Sequence, residues 1–433
     1  MSSAAPQAVN PATLPTYDDL SYQRFLHDHL IPNTPFLLSP RWTERWGARR
    51  EWTRPHSRQS GLLASLDEED MCRLLSDVAP RNPPSSHSKQ PSLPVTSQDQ
   101  TSFATPPSLP NFAALTAYGE QIVPVADTTQ REFSEFARDE RPLREVLELW
   151  ESGEGRTLYV KDWHLVAELG GGANARGVYE PPACFLDDWL SPPFEVLTSS
   201  SASTADFRFT YTGPAGTFTP LHSDVYGSYS WSANIVGRKL WWLFPPGTEP
   251  RDKHDELLFD VRNVKALKVL QEEGEVIFVP SGWHHQVLNL DFCISINHNF
   301  FSSPTLPRVY AALRSSHDSC VAGIADVLPD IKARLGDTVL PDGRTAWEAE
   351  WAEVLDGLLE RDAGWGWEGF WTCVRDNLVN PPTGSNLRPA DDDVAHFVCT
   401  ALEQYKASPE WRLLPAARAV ATEVETFILG LKP

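Results

Sequence analysis

Between residues 111 and about 302 the chain breaks into short β-type runs, "QIVPVAD", "TLYVKDW", "FRFTYTG", "KLWWLFPPG", "GEVIFVPSGW" and "FCISINHNFF", parted by turn signals. Many short strands at this spacing predict an all-β core, either a barrel or a double-sheet jelly roll. The pattern changes on both sides of it. Upstream, "YDDLSYQRFLHDHL" places Tyr22, Phe25, Leu26 and Leu30 on one helical face, "NTPFLLS" reads as a short strand, and Trp42, Trp46 and Trp52 supply bulky anchors. Downstream of 303 the period becomes helical. A Thr345 to Glu348 capping box precedes an apolar stripe of Trp347, Trp351, Val354, Leu355 and Leu358, and "DDDVAHFVCTALEQYK" opens with the acidic residues that suit a helix N-terminus.

The expected organisation is α+β: a flexible tail over 1–16, an N-terminal cap over 17–80, a β core over 111–302 and a helical region over 303–433. Residues 81–110 carry one aromatic and abundant Pro and Ser, too little apolar surface to offset the entropy of ordering, and are expected to be a disordered insertion. Lys and Arg number 37 against 58 Asp and Glu, a net charge of −21, which argues against a broad nucleic-acid surface and favours a basic protein or peptide partner. No apolar run reaches the length of a membrane span, and "MSSAAPQAVNPATLP" lacks the features of a secretory signal. Six cysteines without a CxxC pair fit reduced thiols, so a cytosolic or nuclear compartment is expected.

The chemistry concentrates in "TFTPLHSD". On a strand, side chains i and i+2 share a face, so His222 and Asp224 project together while Ser223 points away. A third ligand is on offer some way downstream in "VPSGWHHQVLNLD", as His284 or His285. Two histidines and one carboxylate on one face leave positions open for a cosubstrate and O₂, as in non-haem Fe(II) oxygenases. An HxD alone is a weak signal. Lys239 strengthens it, because an ammonium inside the otherwise apolar strand of "GRKLWWLFPPG" needs an anionic partner. The lysine either snorkels its ammonium to solvent, pairs with a core carboxylate, or grips the distal carboxylate of a 2-oxo acid bound at the iron. "HDH" at 27–29 lies on a helix, where i and i+2 face apart, and is expected to be solvated surface.

Taken in order and spacing, "GPAGTFTPLHSD", "GRKLWWLFPPG" and "VPSGWHHQVLNLDFCISINHNF" resemble the JmjC domain of 2-oxoglutarate oxygenases, over roughly 155–302. The N-terminal "YDDLSYQRFLHDHLIPNTPFLL" resembles the corresponding segment of such proteins. The resemblance implies a double-stranded β-helix with Fe(II) and 2-oxoglutarate as cofactors. His222, Asp224 and His285 would be the metal ligands and Lys239 the 2-oxoglutarate anchor. Thr219 would assist that lysine, and Asn297 and Tyr211 would line the same pocket, although Tyr211 also reads as an ordinary strand aromatic. Ser230, Ser232 and Asn234 compete for one further polar contact, with Asn234 carried forward as the cosubstrate residue. Within the family the likeness is to lysyl hydroxylases of the translation release factor, so a protein substrate and O₂ are the expected partners and a homodimer stays open. A JmjC histone lysine demethylase, a silent jelly-roll binding module and a cupin working on another metal are the alternatives.

Overall fold

The computed structural model describes residues 14–55, 66–81, 107–191 and 206–431. Its centre is eight strands: Arg208–Gly213, Phe218–His222, Tyr229–Val236, Lys239–Phe244, Leu267–Gln271, Val276–Val279, His284–Asn289 and Cys293–Phe300. They divide into two antiparallel sheets. Numbered in chain order, the larger sheet runs sixth, third, eighth, first and the smaller runs fifth, fourth, seventh, second. This is the eight-stranded jelly roll that the short β runs imply. The larger sheet continues into Phe36–Leu38 and Thr16–Tyr17 at one edge, and into Leu158–Trp163, Ile122–Glu132 and Glu135–Pro142 at the other.

Alternation decides what each face holds. In the third strand Tyr229, Trp231, Ala233 and Ile235 face outward into a core shared with the N-terminal cap, while Ser230 and Ser232 face the space between the sheets. The cap closes that outer core with aromatic rings: Phe25, Phe36, Phe185 and Phe278 lie within 6.3 Å of one another, centre to centre. Between the sheets, Trp241, Leu243, Ile277, Val279 and Val287 fill one end with apolar side chains. The other end is polar.

Several expectations are revised by this packing. Residues 1–13 and 82–106 of the expected tail and insertion lie outside the described residues. Their margins, however, are built into the fold. Leu14 is buried, Thr16–Tyr17 pairs with Leu37 and Leu38, Arg81 bonds Glu275, and Leu109–Pro110 pairs with Thr53 and Arg54. The helix Tyr22–Phe25 widens into a π-type turn over Leu26–Leu30, which carries His29 inward. His29 is therefore not solvated. It bonds the Tyr17 hydroxyl at 3.0 Å, and burial pushes its pKa down to about 4.

The C-terminal region packs the helices Leu306–Gly323, Ala346–Ala363, Trp367–Val379, Asp391–Lys406 and Pro415–Leu431 around Trp367, Trp371 and Tyr405. Ala346–Ala363 starts at the Thr345–Glu348 capping box. Its buried face differs from the expected stripe, running through Ala349, Ala352, Leu355 and Leu359, with Val354 exposed and Trp347 and Trp351 half-buried. Small alanines let neighbouring helices approach, and a search for large apolar residues passes over them. Among the described residues no helix is long and apolar enough to cross a membrane.

Candidate metal centre

The second strand, Phe218–His222, is the outer strand of the smaller sheet. Its ladder with the seventh strand slips by one residue, from His285 opposite His222 to Val287 opposite Thr219. The extra residue falls at Pro220 and Leu221. Proline has no amide hydrogen to give a ladder, so a bulge on an edge strand is where it fits. The bulge also brings Thr219 and His222, three positions apart, to the same pocket.

His222 and His285 face each other across this ladder with ring centres 4.3 Å apart. Each ring is aimed by its own strand: Nδ1 of His222 donates to the Pro220 carbonyl at 2.8 Å, and Nδ1 of His285 to the Trp283 carbonyl at 3.1 Å. Both Nε2 atoms are thereby left as lone-pair donors. Asp224 follows the end of the strand with extended backbone, so the i, i+2 alternation persists and its carboxylate joins the rings. Ligand atoms of His222, Asp224 and His285 all lie within 4.8 Å of one another, and among the described residues they form the one such cluster. Ser230 Oγ donates to Asp224 at 2.7 Å and Asn299 Nδ2 to its other oxygen at 3.0 Å. Burial, reinforced by the neighbouring His285, keeps His222 well below the usual histidine range, so its imidazole is neutral and free to bind a cation. His284, by contrast, faces Glu249 at 4.0 Å and stays out of the cluster.

Deeper in the pocket, Lys239 is 2% exposed and its Nζ donates to Ser295 Oγ at 2.8 Å. Among the described residues no carboxylate pairs with it, and burial lowers its pKa to about 8. Thr219 and Asn297 line the same space, and so does Tyr211, whose ring centre lies 6.0 Å from Nζ. The Tyr211 hydroxyl donates to Asp162, itself at a left-handed φ of 64° where the Leu158–Trp163 strand breaks register. Oδ1 of Asn297 and Oγ of Ser232 are buried without a hydrogen-bond partner among the described residues.

Asn234 is the exception among the expected residues. It lies on the same strand face as Ser230 and Ser232, but beyond the pocket, where its amide donates to the Gly237 carbonyl and braces the turn to the fourth strand. Ser230 and Ser232 do line the pocket, as do Tyr159 and Asn299. Neither of the last two is among the site residues expected from the sequence. Asn299 shares the odd parity of Ser295 and Asn297, which is the signal that would have found it.

Two imidazoles and a carboxylate beside open space, on an eight-stranded jelly roll, define the scaffold of a mononuclear non-haem metal protein. The comparisons with known proteins make the class specific. Residues 209–300 match the family model described as JmjC domain, hydroxylase, and the chain belongs to the JmjC family. It is 30% identical over 406 residues to JmjC domain-containing protein 1 of Schizosaccharomyces pombe, covering 83% of this chain and 82% of that one. It is 33% identical over 319 residues to the human 2-oxoglutarate and iron-dependent oxygenase JMJD4, covering 68% of this chain and 62% of the relative. An Arabidopsis thaliana protein named arginine-specific demethylase JMJ20 is 32% identical over 346 residues, covering 73% of this chain and 63% of the relative. The chain thus spans less than two thirds of the length of the human relative.

The residues present fit both cofactors of this chemistry. The N, N, O donor set suits ferrous iron. A buried ammonium with no carboxylate partner among the described residues, with the Ser232 hydroxyl and the Asn297 side-chain amide lining the same space, suits a dicarboxylate such as 2-oxoglutarate.

Proposed function

We propose that the chain is an Fe(II)- and 2-oxoglutarate-dependent oxygenase that hydroxylates a carbon of a lysine side chain in a protein, a translation release factor, in the cytosol or nucleus. The carrying observation is the convergence of His222, Asp224 and His285 on one point of a pocket whose inner wall holds a buried lysine that no carboxylate among the described residues pairs with. Iron with 2-oxoglutarate would, when bound, let O₂ be divided between two products, one oxygen atom entering succinate as the keto acid loses CO₂ and the other replacing the hydrogen of an unactivated C–H bond as hydroxyl.

The chain's own contribution is placement. His222 and His285 present Nε2 because backbone carbonyls hold their opposite nitrogens, and Asp224 keeps its direction through Ser230 and Asn299. Lys239 would clamp the distal carboxylate of the keto acid, with Thr219 and Tyr211 beside it and Asn297 along its length. The net charge of −21 favours approach of a lysine-bearing basic segment. The human relative's name supports the cofactor pair, and the substrate rests on the resemblance of the sequence motifs to release-factor lysyl hydroxylases.

The test is succinate release across peptides carrying release-factor and histone lysines, with mass spectrometry of each product. Gain of one oxygen on unmodified lysine is expected. His222→Ala should abolish succinate formation with an unchanged circular dichroism spectrum, and retained turnover would contradict the ligand assignment. A second reading, oxidative demethylation, is favoured by the name of the Arabidopsis relative. Loss of a methyl group from a methylated lysine or arginine peptide, without hydroxylation of the unmethylated one, would select it.

A further inference from the structure

Asp224 lies past the end of the second strand, so while Ser230 and Asn299 hold its carboxylate, no β-ladder fixes the backbone of the loop that carries it. That loop makes a single turn over Val225–Gly227, in which Tyr226 adopts a left-handed φ of 58° and ψ of 11°. Such a conformation is unfavourable for a bulky aromatic residue and persists only where the surroundings over-determine it. Here they do so from the C-terminal helices. The Tyr226 ring stacks on Trp365 at 4.4 Å and 15°, and meets Phe207 edge-on at 5.5 Å. Trp365 in turn meets Phe301, just beyond the eighth strand, at 5.9 Å. Gly364, the left-handed cap of the helix Ala346–Ala363, leaves room for the tyrosine, since a Cβ there would collide with its hydroxyl.

The next residue is held from the other side. The Gly227 carbonyl accepts from Ser281 Oγ at 2.6 Å, and Ser281 exchanges two 2.9 Å bonds with the side chain of Asn33 in the N-terminal cap. A Cβ on Gly227 would press on Ala312 of the helix Leu306–Gly323 at 3.3 Å. The loop is thus gripped between the cap and the helical region, two residues from the carboxylate.

We infer that the Tyr226–Trp365 stack is a positioning device that makes the C-terminal helical region part of the metal centre, by fixing the loop that aims Asp224. Tyr226 and Trp365 touch no reacting atom in this scheme; they act through Asp224. The inference rests on Asp224 being a metal ligand, as proposed above.

Metal affinity of the full chain tests it, read by titration with Co(II) and its visible absorption, independently of turnover. Trp365→Ala is expected to weaken binding about tenfold, the lower end of what outer-shell substitutions cost, and Trp365→Phe to restore it to within about threefold. Tyr226→Gly is the sharper arm. It releases the left-handed strain as it removes the stack, so thermal stability should change little while affinity falls about tenfold. A merely structural role predicts no such split. Folded Tyr226→Gly protein that binds Co(II) within about twofold of the parent overturns the inference, and this arm decides even where Trp365→Ala fails to fold. A Trp365→Phe variant as weak as Trp365→Ala would equally overturn the stack as the cause. Failure of the parent to bind any metal would instead sink the ligand assignment, and this inference with it.

Discussion

Replacing Lys239 by Met tests the cosubstrate assignment and the cost of burying the ammonium in one variant. The ammonium is 2% exposed and donates to the Ser295 hydroxyl. Burial brings its pKa from 10.5 to about 8. A depression of that size corresponds to about 3 kcal/mol of lost stability. The sign follows from which state holds the proton. Between about pH 8 and 10.5 the unfolded chain is still protonated while the folded one is not, so raising pH through this window stabilises the fold. Below pH 8 the full deficit applies. Lys239→Met has similar volume and no charge, so its urea midpoint should exceed that of the parent at pH 7, and this segment of the pH profile should flatten. The effect on ligand is opposite. Removing one member of a buried ion pair costs roughly 3–5 kcal/mol, which at about 1.4 kcal/mol per decade means an affinity for 2-oxoglutarate weaker by about two to three and a half orders of magnitude. Calorimetric titration of 2-oxoglutarate into the Mn(II)-loaded protein measures it directly, and succinate release at rising cosubstrate gives the same quantity from turnover. A requirement within about threefold of the parent would refute the reasoning, because a charge pair worth less than about 0.7 kcal/mol is not an anchor.

Three further outcomes are expected. Ser230→Ala or Asn299→Ala leaves Asp224 with one of its two donors, so metal affinity should fall about tenfold or more by calorimetry while the 2-oxoglutarate affinity at saturating metal is unchanged. Asn234→Ala strips the buried Gly237 carbonyl of its donor, which should cost roughly 1–3 kcal/mol in urea unfolding with no change in the cosubstrate requirement. Thr345→Ala removes the capping box of the helix Ala346–Ala363 and should lower stability by about 1 kcal/mol with turnover intact.

What could be read from the sequence followed the period of the side chains. Alternation separates Trp231 from Ser230 and Ser232, and sets Lys239 against the run of apolar neighbours that makes it conspicuous. Spacing within HxD put His222 beside Asp224, and the double histidine after Trp283 supplied the third group. The reading lost its grip where the backbone departs from regular geometry. Thr219 and His222 share a wall only because of the bulge at Pro220, which parity arguments cannot foresee. Asn234 has the parity of a pocket residue, yet it sits past the pocket's end, where a turn carbonyl claims its amide. His29 was turned inward by a π-type turn that a 3.6-residue period does not contain. The meeting of Tyr226 with Trp365 joins positions remote in sequence, and only tertiary packing creates it.

The pairing of His222 directly opposite His285 also ties assembly to loading. Sliding either strand by one residue would swing one imidazole out of the interior and leave the other without its counterpart. Under the proposed ligand set, iron uptake would double as a proof of correct strand alignment: a mispaired molecule would lack the ligand pair and be inert from the outset.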